Sequence, residues 1–169
     1  MCGPWGSLLA VRPLASDQPE RVQTILVVDD EDDIRDSLRE LLEASIDRVQ
    51  VRTAASGAEA AEILTRETVD LLITDYKMPG MNGLELLSHA RAVVPRTPRI
   101  LITAFPDLDL AIRAVNEAKI ENFFTKPLEP DAVVEIVRAV LLERRAAELR
   151  NQAFARSLDL LRRQARPTE

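Results

Sequence analysis

The chain has 169 residues, of which 46% are hydrophobic and 30% are charged, and its formal net charge is −6. This length allows one domain with a short appendage, and the apolar content is too high for a chain that is disordered throughout. The acidic balance argues against nonspecific nucleic-acid binding through an overall positive field. The charge is uneven, because residues 143–169 hold seven arginines against four acids and so form a basic tail on an acidic body.

The single cysteine, Cys2, cannot form an internal disulfide, and a chain without disulfides suits a reducing compartment. The first eleven residues are uncharged but lack the basic leading region and the long apolar core of a secretory signal. No stretch approaches the ~20 apolar residues of a membrane span. We therefore expect a cytoplasmic protein without a membrane partner.

The predicted elements begin after a leader, residues 1–23, in which glycine and proline occur without sustained periodicity and which is predicted to be flexible. The first strand is the apolar run at 25–28, which is typical of a strand buried on both faces of a parallel sheet. Further strands are predicted at 49–53, 69–74, 100–102 and 122–125. Helices are predicted around 34–42 and at 58–65, 84–93, 108–118 and 131–166. This alternation predicts an α/β fold with a doubly wound, five-stranded parallel sheet and helices on both faces.

The last predicted helix is unusually long, because no glycine or proline interrupts it between Asp131 and Arg166. At 1.5 Å per residue it would span about 50 Å, which exceeds a compact domain of this size. Apolar positions along it recur at alternating steps of four and three. The ten positions are Val133, Val137, Val140, Arg144, Ala147, Asn151, Phe154, Leu158, Leu161 and Ala165.

This spacing is that of a two-stranded coiled coil, in which polar residues at the positions of Arg144 and Asn151 select register. The first three valines have an alternative role, since they could pack on the sheet of the same chain. We expect a parallel homodimer through the C-terminal helix. The alternative is a linker, helical or disordered, to an output domain.

Polar residues stand where the predicted strands end: Asp29 and Asp30 after the first, Asp75 after the third, Thr103 after the fourth and Lys126 after the fifth. The carboxyl ends of parallel strands share one edge, where open α/β sheets bind ligands. Clustered carboxylates suit a hard cation, above all Mg²⁺. A cation, a carboxylate and an ammonium group together favour phosphoryl transfer, with the carboxylate as nucleophile and Thr103 as a donor to a phosphoryl oxygen.

Four stretches in this order resemble the receiver domains of two-component response regulators. They are ILVVDDE at 25–31, LLITDYKMPGMNG at 71–83, ITA at 102–104 and FFTKP at 123–127. The resemblance covers residues 24–142, which leaves 143–169 as a helical extension. It implies a flavodoxin-like sheet with strand order 2-1-3-4-5 and an extended fifth helix.

The resemblance also implies roles for individual residues. Asp75 is identified as the phosphoacceptor, supplied by a sensor histidine kinase or phosphotransfer protein. Asp29, Asp30, Asp75 and the backbone carbonyl of Lys77 are implied to hold Mg²⁺. Lys126 is implied to pair with the phosphoryl group. Thr103 is implied to be the switch hydroxyl, and Phe123 the switch aromatic.

The function that follows is a phosphorylation-dependent switch, not a turnover enzyme, which changes the face formed by the fourth helix, fifth strand and fifth helix or changes its dimer state. One alternative is an aspartate-nucleophile, metal-dependent phosphohydrolase, although such enzymes resemble one another in an Asp-x-Asp motif on the first strand. The other is a receiver fragment of a larger regulator. Direct nucleic-acid binding by this chain is not expected, because residues 143–169 are too few for a helix-turn-helix fold.

Overall fold

The computed structural model describes residues 21–104 and 107–164, and within them strands and helices alternate along the chain. The strands are Gln23–Val28 (β1), Val49–Ala54 (β2), Leu71–Asp75 (β3), Arg99–Thr103 (β4) and Asn122–Thr125 (β5). The helices are Asp32–Ser45 (α1), Gly57–Arg66 (α2), Gly83–Val93 (α3), Leu108–Arg113 (α4) and Pro130–Gln164 (α5). Residues Ala114–Ala118 form a π-helical turn directly after α4, called the π turn below.

The five strands form one parallel sheet with the order β2-β1-β3-β4-β5. The predicted fold class, a doubly wound flavodoxin-like sheet, is therefore confirmed. Because β1 lies between β2 and β3, the chain reverses its direction of winding there, and the loops after β1 and β3 diverge to leave a crevice. The fold thus places a binding edge at the carboxyl ends of the central strands.

Two apolar layers cover the sheet, which is why its central strands are continuous apolar runs. In β1, Ile25 and Val27 pack with residues of α1 and α5, whereas Leu26 and Val28 pack with residues of α2 and α3. All four side chains are at most 1% exposed. Burying a side chain of this size contributes about 2 kcal/mol, so both faces of the strand help to fix its position.

The start of β1 differs from the prediction. The strand begins at Gln23, and the guanidinium of Arg21 contacts the buried Asp70 carboxylate, which also accepts the Thr24 N–H at 2.8 Å. The end of the predicted leader is therefore part of the fold. Residues 1–20 of that leader lie outside the described residues.

The helix predicted at 108–118 is divided. α4 ends at Arg113, and the following residues form the π turn, which closes when Lys119 donates its N–H to the carbonyl of Ala114. Lys119 has φ 51° and so ends the helix in the left-handed conformation. The wider turn keeps both Ala114 and Ala118 buried against the core, which a pattern of apolar residues does not distinguish from a regular helix.

α5 confirms the predicted long helix, and Pro130 stands at its first position, where proline costs no hydrogen bond. Its first part packs on the sheet and α1 through Val133, Val137 and Leu141, which are at most 2% exposed. Farther along, Phe154 is 68% exposed, and Ala165 lies outside the described residues. Among the helices of residues 21–104 and 107–164, none combines the length and apolar composition needed to cross a membrane.

Candidate functional site

Three charged side chains from separate strands meet at the carboxyl edge of the sheet, and we call them the strand-end cluster: Asp29, Asp75 and Lys126. Lys126 Nζ lies 2.8 Å from Asp75 Oδ1 and 3.1 Å from Asp29 Oδ2. Asp75 is the last residue of β3, while Asp29 directly follows β1 and Lys126 directly follows β5. Asp29 and Asp75 are only 1% and 5% exposed. One ammonium group therefore faces two buried carboxylates.

The charges of the strand-end cluster are not fully balanced. Burial raises the pKa of Asp29 above its ordinary value of 3.8, although the Glu31 N–H at 2.9 Å and the Lys126 ammonium both act to lower it. Burial alone would lower the pKa of Lys126, but its hydrogen bonds to Asp75 and Asp29 and their negative charges raise it. The cluster therefore keeps its lysine charged and would be stabilised by further positive charge.

The backbone that follows Asp75 helps to fix its carboxylate. The N–H of Lys77 donates to Asp75 Oδ2 at 2.6 Å, so each carboxylate oxygen has its own partner. The loop then closes on itself, because the N–H of Gly83 donates to the carbonyl of Tyr76 at 2.9 Å. α3 starts there with a reciprocal cap, in which Asn82 accepts from the backbone of Glu85 and Glu85 accepts from the backbone of Asn82.

Gly83 is a site residue that the sequence did not reveal. A Cβ atom built at this position would lie 2.1 Å from the backbone carbonyl oxygen of Asp75. Only glycine therefore permits α3 to start this close to the end of β3. The sequence offers one signal for it, a glycine directly before the apolar helix predicted at 84–93.

Thr103 and Phe123 lie on neighbouring strands and face the same side of the sheet. Thr103, at the end of β4, is 1% exposed and pairs in register with Thr125, whereas Phe123 pairs with Leu101. Because positions two apart on a strand face the same side, Thr103, Leu101 and Phe123 point towards one layer, where Phe123 packs half-buried against the core. The carbonyl of Thr103 also accepts the N–H of Lys126 at 2.8 Å.

A cavity of about 490 Å³ opens beside the strand-end cluster. Its lining includes Asp30, Asp75, Lys77 and Lys126, together with Glu31, Met78, Pro79 and Ala104. Asp29 does not line it, but its carboxylate contacts Lys126, which does. Glu31, whose carboxylate lies 3.6 Å from Lys126 Nζ, is a further acid that the sequence analysis did not assign to the site.

The oxygen donors around the cavity suit a magnesium ion better than a transition metal. In the described ranges 21–104 and 107–164, no three acidic, histidine or cysteine side chains are arranged to hold a metal ion by themselves. Mg²⁺ does not require such a cage, because it usually binds one or two carboxylates and keeps several waters. A buried Asp29 with a raised pKa and a carboxylate at the cavity wall therefore fit this cation.

A parallel sheet of this order, with two buried acids and a lysine at its carboxyl edge, defines the receiver class of signalling domain. The family model described as "Response regulator receiver domain" matches residues 25–138, and the chain belongs to this family. Members of the family are signalling domains of two-component systems and are generally phosphorylated by histidine kinases.

Particular relatives support the same assignment. The chain is 40% identical over 121 residues to the response regulator protein PilR of Pseudomonas aeruginosa, which covers 70% of this chain and 26% of PilR. It is 34% identical over 119 residues to the sporulation initiation phosphotransferase F of Bacillus subtilis, covering 70% of this chain and 94% of that protein. The structure of the response regulator TrrA of Thermotoga maritima, in complex with Mg²⁺ and BeF, matches with a TM-score of 0.63 and 30% identity, over 70% of this chain and 98% of TrrA.

The chain spans about a quarter of the length of the first curated relatives it matches, such as PilR. Phosphotransferase F, by contrast, is matched over nearly its whole length. The family assignment therefore concerns the receiver domain.

Proposed function

We propose that this chain is a phosphorylation-dependent switch in which Asp75 accepts a phosphoryl group from a sensor histidine kinase or a phosphotransfer protein. The observation that carries the proposal is the contact of one ammonium group, Lys126 Nζ, with Asp75 at 2.8 Å and Asp29 at 3.1 Å at the carboxyl edge of the sheet. Separate strands supply these residues, and the adjoining cavity has room for a phosphoryl group.

The transfer forms a P–O bond from an oxygen of Asp75 and breaks the P–N bond of the phosphohistidine donor, whose imidazole leaves as the neutral base after taking up a proton. The N–H of Lys77 and the ammonium of Lys126 orient the carboxylate before the reaction. Charge accumulates on the three phosphoryl oxygens, and Lys126 can keep its charge and pair with one of them. Thr103, at the end of the neighbouring strand, would donate to another.

The ligands we propose for Mg²⁺ are Asp29, Asp30, Asp75 and the backbone carbonyl of Lys77. The bound cation would neutralise charge on the phosphoryl oxygens. Asp29 and Asp30 would hold it next to Asp75, and burial of Asp29 favours partners that bring positive charge. The Mg²⁺ and BeF complex of TrrA, a relative of similar fold, supports this proposal.

We propose that the signal leaves the site through Thr103 and Phe123. When Thr103 turns towards the phosphoryl group, it vacates space on the side of the sheet that Phe123 shares. The Phe123 ring is half-buried, so it has room to change rotamer without unfolding the core. The result would be a population shift in the face formed by α4, β5 and α5.

The output we propose is a homodimer through α5. The helix continues beyond the packed Leu141, and Phe154, Leu158 and Leu161 are 68%, 39% and 61% exposed. A stripe of such residues at coiled-coil spacing is typical of a helix that pairs with a second helix of the same kind. As part of a longer regulator, this helix would also connect the receiver to an output domain, since several relatives are named transcriptional regulators.

The decisive experiment measures the intact mass of the chain after incubation with Mg²⁺ and a small phosphodonor. We expect one phosphoryl adduct on the natural chain and none on Asp75→Asn. An Asp47→Asn variant, which changes an exposed acid outside the site, should be modified like the natural chain. Chelation of Mg²⁺ should suppress the adduct. An adduct retained by Asp75→Asn would overturn the assignment.

A further inference from the structure

A buried arginine at the opposite end of β4 from Thr103 is not used by the proposed phosphorylation site. Arg99 is 4% exposed, and its guanidinium donates to three backbone carbonyls. Nε donates to Ala118 at 2.8 Å, Nη1 to Thr97 at 2.7 Å and Nη2 to Lys119 at 3.0 Å. Two of these carbonyls stand at the C-terminal end of the π turn, where helix carbonyls lack partners within the helix.

A second arginine contacts the same end from another element. Nη1 of Arg91, in α3, donates to the carbonyl of Glu117 at 2.7 Å. Two guanidinium groups, from α3 and β4, therefore hold three consecutive carbonyls, those of Glu117, Ala118 and Lys119. Positive charge at this end is also favoured by the helix dipole.

The contacts of Arg99 also reach Glu121, the residue directly before β5. The Glu121 carboxylate accepts the backbone N–H of Arg99 at 2.5 Å, and the N–H of Glu121 donates to the carbonyl of Arg99 at 2.8 Å. Arg99 thus joins the end of the π turn to the start of β4 and to the residue directly before β5. A buried guanidinium without hydrogen-bond partners is costly. The carbonyls at the end of the π turn therefore hold the Arg99 side chain in place, and Arg99 in turn holds these carbonyls.

The other end of α4 is held in a different way. Its cap is the exposed Asp107, which accepts the N–H of Leu110 at 2.6 Å, and the Leu110 side chain is 3% exposed in the core. The cap residue Asp107 lies four positions after Thr103, the last residue of β4. The two ends are separated by the change from α-helical to π-helical hydrogen bonding at Arg113 and Ala114.

We propose that Arg99, with Arg91, fixes the C-terminal end of the π turn, so that a change at Thr103 moves α4 about the Arg113–Ala114 junction while residues 117–121 stay in place. Arg99 is in this sense a positioning residue, and the inference rests on the function proposed above. We therefore expect the N-terminal turn of α4 to move after phosphorylation, and the start of β5 to stay in place.

Hydrogen–deuterium exchange of the full chain tests this inference, with and without Mg²⁺ and beryllofluoride as the probe for the phosphorylated state. In the natural chain, we expect the probe to change exchange in peptides covering 107–113 and to leave 117–121 unchanged. In Arg99→Gln, the probe should also change the exchange rate of residues 117–121. We expect a change of about tenfold in that rate, the factor that corresponds to loss of one charged hydrogen bond. Arg66→Gln, which removes an exposed ion pair with Glu62 within α2, should behave like the natural chain.

Arg91→Gln gives a second measurement that leaves the buried Arg99 guanidinium intact. In this variant the probe-dependent change in exchange should extend to residue 117 alone. Compared with Arg99→Gln, Arg99→Lys should show a smaller probe-dependent change at 117–121, because lysine keeps the charge but has fewer directed donors. Faster exchange in Arg99→Gln that is equal with and without the probe would show a purely structural role and overturn the inference. A natural chain in which the probe changes 117–121 as much as 107–113 would also overturn it.

Failure of the proposed function has a different signature. It would appear as no probe response anywhere in the natural chain together with no phosphoryl adduct on Asp75. A chain that forms the adduct and responds to the probe at 117–121 would contradict only the role of Arg99 and Arg91.

Discussion

The strand-end cluster and the distal part of α5, residues 149–164, are both rich in charge but differ in what holds them. Asp29 and Lys126 are 97 residues apart in sequence and meet in a nearly buried contact. The side chains described in the distal part of α5 are all exposed. Since charge interactions are stronger away from water, a substitution in the cluster should change the stability of the receiver, whereas one in the distal helix should change association instead.

The largest loss of stability is expected for Gly83→Ala. The added Cβ would meet the carbonyl oxygen of Asp75 at 2.1 Å, and backbone on both sides must move to relieve the overlap. We expect a loss of about 3 kcal/mol in the free energy of unfolding, measured by urea denaturation.

The control for Gly83→Ala is Gly80→Ala in the same loop. Gly80 has φ 76° and no atom within 4 Å of an added Cβ, so this variant carries only the strain of the left-handed conformation, about 1 kcal/mol. Equal losses in the two variants would show that contact with Asp75 is not the cause.

Lys126→Met should have the next largest effect. It leaves Asp29 and Asp75 buried without their shared ammonium, and we expect a loss of about 2 kcal/mol in the free energy of unfolding without Mg²⁺. Arg156→Met in the distal part of α5 removes a charge that is exposed, and it should change stability by less than about 0.5 kcal/mol. Similar losses of unfolding free energy in Lys126→Met and Arg156→Met would show that the strand-end cluster does not stabilise the receiver more than the distal part of α5 does.

The strand-end cluster was predictable because its determinants are local. The central strands are continuous apolar runs, and the chemistry stands in the residue that ends a strand or directly follows it, as at Asp75 and Lys126. Parallel pairing then brings these ends together whatever the details of the loops. The fold and the residues assembled at its edge therefore followed from the sequence.

Contacts that depend on how two backbones approach could not be predicted in this way. Gly83 against the carbonyl of Asp75, Arg99 against the end of the π turn and the division of the helix at Ala114 all require the packed structure. An arginine at the start of a strand gives no sign in the sequence that its guanidinium is buried. The exact start of β1 at Gln23 similarly depends on the Arg21 and Asp70 contact.

Asp29→Asn should produce a smaller change of opposite sign. Because burial raises the pKa of Asp29 in the folded state, the ionised carboxylate destabilises the metal-free fold, and its removal should stabilise the protein at pH 7. The gain should shrink as the pH falls through the folded-state pKa and vanish below the ordinary value of 3.8, where both states are protonated. Urea denaturation with chelator at several pH values measures this.

Mg²⁺ provides the counter-experiment for Asp29. If Asp29 holds the cation, added Mg²⁺ should stabilise the natural chain more than Asp29→Asn, and the advantage of the variant should narrow or reverse. The role we propose for this carboxylate would be contradicted if the stability gained in Asp29→Asn did not depend on pH. It would also be contradicted if Mg²⁺ stabilised the natural chain and Asp29→Asn equally.

The smallest effect on the receiver itself is expected in the distal part of α5. Leu158→Glu places a charge in the apolar stripe, and Leu149→Glu is its matched control, because Leu149 is similarly exposed but lies about half a turn away from the stripe positions 147 and 151. Both variants should change the free energy of unfolding of the receiver by less than about 0.5 kcal/mol. Sedimentation should nevertheless separate them: the natural chain and Leu149→Glu are expected as dimers, and Leu158→Glu as a monomer with the behaviour of a chain ending at Leu142. If the natural chain and the chain ending at Leu142 both sediment as monomers, the stripe has another partner, and the difference between the two regions is one of stability alone.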